Sequence, residues 1–191
     1  MPNAPRHVIV SPPGYAAAEV GSFVAQLADQ SRRLREDTRE LGPGALGWQP
    51  APGQNTIGML LAHIAIVEVF WTCLVLEDQP READPFPAAL GIGADDDGLP
   101  LSPGGLPPQA LAGRDLAFYD DLLARGRAYL ERAARTLRPE DLERVVEKPR
   151  ANGDRPSYNV RWALYHLLEH FAGHYGQILL LRHQWRDRTT R

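Results

Sequence analysis

Three histidines, His166, His170 and His174, recur at four-residue intervals in the stretch "HLLEHFAGHYGQI". On a helix, residues four apart are separated by about 6 Å of rise and roughly 40° of rotation, so two imidazoles at that spacing can converge on one ion. Three in a row cannot do so easily, because the outer pair would lie about 12 Å apart along the axis. The apolar seam through this segment runs Ala163, Leu167, His170, His174, Ile178, Leu181. His166 falls one step before Leu167, on the flank of that stripe. A second apolar segment has the seam Leu60, His63, Val67, Phe70, Leu74, with His63 where a leucine would be expected. A buried imidazole needs a polar partner, and a shared cation would satisfy three at once. His63, His170 and His174 are therefore the candidate ligands of a divalent metal. Zinc or nickel suits three neutral imidazoles best, iron and manganese are further candidates, and open positions would remain for water or substrate. Against this stands a plainer reading, in which a core histidine is simply hydrogen-bonded. His166, His183 and His7 are set outside the cluster.

These side chains need helices to position them, and the apolar pattern supplies helices with almost no two-residue alternation of the strand type. The first expected helix runs from about Pro13 to Leu41, with Val20, Leu27, Leu34 and Leu41 on one stripe. The second begins near Asn55 or Thr56, either of which can cap it, and reaches about Asp78. The third spans about Arg114 to Leu137, and the fourth starts after "RPSYN", capped by Ser157 or Asn159, and ends near Arg186. The expected fold is all-α, a four-helix bundle. Its second and third helices are joined by a proline- and glycine-rich connection of residues 79–113, long enough to permit a crossover. Within that connection "ADDDG" lacks the alternating acids of a calcium loop and reads as a solvated turn. The segment 138–159 is expected to hold one short helix at "PEDLERVV" and otherwise turns.

The full 191 residues read as one domain with an N-terminal tail over 1–11. With 21 basic and 24 acidic side chains and a formal charge of -3, the chain has no basic stripe for nucleic acid. The apolar run "IGMLLAHIAIVEVFWTCLVL" contains a histidine and a glutamate, which favours a buried helix over a membrane span. A lone cysteine, Cys73, and the absence of a leader-like apolar run at the N-terminus give a cytoplasmic expectation, with Cys73 as a packed thiol. Glu68 points away from His63 and reads as an inter-helix or surface residue. Gln177 is placed to hydrogen-bond near the site, and Gly176 to admit a neighbouring element. Trp48, Trp71 and Trp162 read as core or helix-edge packing.

Two stretches carry a family resemblance. "GWQPAPGQNTIGMLLAHIAIVEVFW" resembles the entry into the second helix of the DinB-like, damage-inducible superfamily of metal-binding bundles, and "HFAGHYGQI" is similar to its His-x-x-x-His-x-Gly-Gln-Ile ending. The resemblance covers most of the chain and implies His63, His170 and His174 as a metal triad of the three-histidine form. It implies relatives that are S-transferases and isomerases using low-molecular-weight thiols such as bacillithiol or mycothiol. The expected function is a metal-dependent enzyme that activates a small thiol for S-transfer or isomerisation of a small-molecule substrate. The alternatives are a metal-dependent hydrolase, with Glu169 or Glu68 as base, and a non-catalytic stress-associated metal-binding bundle. A homodimer through an exposed helix face is compatible with each.

Overall fold

The computed structural model describes residues 8–189, so His7 lies outside the described residues. The long helices are α1 (Ala18–Thr38), α3 (Ile57–Trp71), α5 (Leu116–Ala134) and α6 (Val160–Thr189), with short helices α2 (Pro43–Leu46) and α4 (Phe86–Leu90) between them. Helices α3, α5 and α6 start where a side chain can satisfy free amides. Thr56 Oγ1 accepts from Met59 N at 3.1 Å, Asp115 Oδ1 from Phe118 N at 3.0 Å, and Asn159 Oδ1 from Trp162 N at 2.8 Å. The first helix is shorter than its periodicity predicts, because Pro12, Pro13 and a left-handed Gly14 (φ 89°) precede it. The second continues beyond Trp71 as a π-helical turn over Thr72–Leu76.

The stripe of α1, Val20, Leu27 and Leu34, is fully buried, as are Leu130 and Leu137 of the third segment. Helix α3 is apolar nearly all round and sits at the centre of the core. Its run Ile57–Leu76 is long and apolar enough to cross a membrane, but 78% of it is buried inside the bundle, as in a core helix.

Side-chain pairs fix the helix directions. Glu68 meets Arg127 and Glu77 meets Tyr129, so α3 and α5 run parallel, whereas His63 meets His170 and Trp71 meets Trp162, so α3 and α6 are antiparallel. Glu19 pairs with Arg161 and Asp37 with Arg182, which makes α1 and α6 parallel. The order is up, down, down, up. Parallel neighbours α3 and α5 require the chain to return the length of the bundle, and the proline-glycine connection performs that crossover. It climbs beside α3: Arg81 lies over the Phe70 ring, Asp97 reaches His63, Gly98 packs near Met59, and Gly53 N donates to Gly105 O at 2.9 Å.

One expectation needs correction. Val145–Glu147 (β1) and Ser157–Asn159 (β2) form a two-stranded antiparallel hairpin, with Val146 opposite Tyr158. Three-residue strands with one buried position between them are too short to show alternation. The expected short helix before them is a 3₁₀ turn over Pro139–Glu143.

Candidate metal centre

His63 projects from the middle of α3, and His170 and His174 project from α6 across the antiparallel contact. The Nε2 atoms of His63 and His170 are 3.1 Å apart, those of His170 and His174 are 3.0 Å apart, and one nitrogen of each ring lies within 4.8 Å of the others. A cation bound at about 2.0–2.1 Å sets its ligand nitrogens from about 2.9 Å apart at right angles to about 3.4 Å in a tetrahedron. The His63–His170 and His170–His174 separations stand in that range.

The far nitrogens explain why the near ones are free. His63 Nδ1 lies 2.7 Å from Asp97 Oδ2, and His174 Nδ1 lies 3.0 Å from Gln177 Oε1. A carboxylate and an amide oxygen only accept, so each Nδ1 carries the proton and each Nε2 turns a lone pair toward the cluster. The remaining ring, His170, has one Nε2 for two neighbours and can satisfy only one of them by donating. A shared divalent cation satisfies all three, so the donor set fits a metal. Burial, and next the nearby His174 and His63, pull the His170 imidazole down to about 3. His174 is also lowered, chiefly by burial. Neutral rings at neutral pH are the form that ligates.

His166 does not join them. Its ring stacks on Trp162 at 4.8 Å and 5° and meets Trp71 edge-on at 5.1 Å. Ring packing holds it at the edge of the seam, and burial lowers its pKa. Trp71, Tyr158, Trp162 and His166 thus make an aromatic cluster beside His170, with Trp162 39% exposed. Trp48 packs on Trp185 with Arg188 stacked over both, and His183 contacts Arg186 far along α6.

Three other expectations are resolved by contacts. Glu68, 3% exposed, is held by both Nε and Nη2 of Arg127 at 3.1 and 2.6 Å, an inter-helix ion pair facing away from the histidines. Cys73 is buried, and burial pushes its thiol up, away from reactivity. Among the described residues no neighbouring element approaches Gly176: a Cβ there would meet nothing within 4 Å.

Asp97 is the residue that sequence reasoning missed. The "ADDDG" turn is not wholly solvated: Asp95 is exposed, but Asp97 is 2% exposed. Its contact with His63 closes across 34 positions of chain, a separation at which no local periodicity operates.

A family model described as Mycothiol-S-transferase matches residues 22–187. The chain belongs to the mycothiol S-transferase family. This is a DinB-like family, in accord with the helical architecture. The matched span includes His63, His170 and His174 together with Asp97 and Gln177. A comparison with curated proteins returned no match.

Proposed function

We propose that this chain is a metal-dependent thiol S-transferase that uses mycothiol, or a thiol of the same low-molecular-weight class, and joins it to a small electrophile. The observation carrying this reading is the convergence of three imidazole nitrogens, with the outer nitrogens of His63 and His174 already engaged, within a chain of the mycothiol S-transferase family. His63, His170 and His174 would hold the cation, zinc or nickel by donor chemistry. A bound divalent cation lowers the pKa of a coordinating thiol, so that the thiolate is available near neutral pH. The protein's own contribution is to keep His170 and His174 neutral, to aim all three rings, and to leave the remaining coordination positions open. The stacked Trp162–His166 pair beside His170 offers a flat apolar wall to a bound molecule. The long apolar helix is a core element, and membership of the mycothiol S-transferase family supports a small-molecule substrate in the cytoplasm.

The hydrolase alternative is weaker because Glu68, one of its two candidate bases, is committed to Arg127. The test is conjugation of mycothiol to a model electrophile by the purified protein. Turnover should vanish on chelation and return when zinc or nickel is restored; full turnover in the chelated protein would refute the reading.

A further inference from the structure

The crossover brings one carboxylate into the core, and that carboxylate needs an explanation. Gly93 N donates to Asp96 Oδ2 at 2.7 Å and Gly98 N donates to Asp95 O at 3.0 Å, folding residues 93–98 into a tight turn. Asp95 is left in solvent and Asp97 faces inward. Gly98 holds a left-handed φ of 70°, and a Cβ there would meet Pro108 Cδ at 2.9 Å and Met59 Cε at 3.5 Å. The turn is therefore pressed between the rest of the crossover and α3, and the position of Asp97 is set by backbone rather than by side-chain choice.

Asp97 Oδ1 accepts from Leu99 N at 3.0 Å and Oδ2 accepts from His63 Nδ1 at 2.7 Å. Its side chain is 3% exposed, and among the described residues its one ion-pair partner is His63. Among the described residues no arginine or lysine pairs with it. A buried carboxylate without a cation is costly. The opposite nitrogen of the same ring faces the proposed metal position.

We infer that Asp97 is a positioning residue for the metal centre: it fixes the tautomer and aim of His63 and links docking of the crossover to metal loading. The inference rests on the metal reading above. A carboxylate accepting from Nδ1–H makes Nε2 a better donor to a cation, and a cation on Nε2 makes Nδ1–H a better donor to the carboxylate. Each event strengthens the other, and the coupling is reciprocal. The metal would then secure the crossover as well as the substrate's thiol.

The test uses the full chain as wild type, Asp97→Asn and Asp97→Ala, with zinc and nickel as probes. Zinc affinity is read by competition with a chromophoric chelator, nickel geometry by its visible spectrum, and docking by amide exchange over residues 92–101 with and without zinc. Asp97→Ala should bind zinc about 10–100-fold more weakly and shift the nickel bands. Asp97→Asn, which keeps an acceptor oxygen and the Leu99 contact, should lose less affinity and also covers the case that the alanine variant fails to fold. Zinc should slow exchange over 92–101 in the wild type and lose that effect in Asp97→Ala. A lowered melting temperature with unchanged zinc affinity and nickel spectrum in both variants would overturn the inference and leave a structural role. A wild-type protein that binds neither ion would overturn the metal reading itself, so the two failures are distinguishable.

Discussion

Two of the candidate ligands work through both of their ring nitrogens. For His63 and His174 the outer nitrogen is tied to Asp97 or Gln177, which leaves the inner one a lone pair with a fixed direction. Alanine at His63, His170 or His174 should therefore remove most bound zinc, whereas His166→Ala should retain it, since His166 sits against Trp162 and Trp71. Metal analysis of the four purified variants checks this, and a full site in His63→Ala beside an empty one in His166→Ala would reverse the assignment. Gln177 is exposed, so water can replace it as acceptor. Gln177→Ala should weaken zinc by less than about tenfold, the low edge of what a ligand's hydrogen-bond partner contributes. Chelator competition measures it. At this scale the sequence was informative where periodicity reaches: His170 and His174 share one seam and His63 takes a leucine position on another. It was silent on Asp97, whose side chain is buried by a turn that only the folded crossover brings to α3.

Among the elements, the parallel pair α3 and α5 approach closely at Gly126. A Cβ at Gly126 would lie 3.0 Å from Ala65 O and 3.2 Å from Ala65 Cα, and both are backbone atoms that cannot swing aside. Gly126→Ala should destabilise by about 1–3 kcal/mol through overpacking. Beside it, Arg127→Ala would strand the buried Glu68 carboxylate and should cost about 3–5 kcal/mol. Chemical denaturation of both variants gives these values, and a loss under 1 kcal/mol for Arg127→Ala would show that water reaches Glu68. A deletion in the crossover that includes Asp97 removes the partner of His63, whereas one confined to residues 100–105 leaves it. Helix existence and caps were legible because capping residues and stripes are local signals. The β1–β2 hairpin was not, being set by pairing between segments separated by the 148–156 turn.

For the whole molecule, acidity and metal act on the same balance. His166, His170 and His174 are held below the ordinary histidine value in the folded chain. Between those lowered values and about 6.5 the unfolded chain binds protons that the folded one does not. Stability of the metal-free protein should hold above about pH 6.5 and fall as pH drops below it, and His170→Asn should flatten that slope. Melting curves from pH 7.5 to 5 read the effect. Zinc binds the folded state and should raise the melting temperature, by the equivalent of about 2.7 kcal/mol at a hundredfold excess over its dissociation constant. The measurement closest to the central claim is X-ray absorption on the zinc-loaded protein before and after addition of mycothiol. The account predicts at least three nitrogen neighbours at about 2.0–2.1 Å in both samples, and a new sulfur neighbour at about 2.3 Å once the thiol is present. A zinc shell that lacks the three nitrogens, or one that gains no sulfur at saturating thiol, would contradict it.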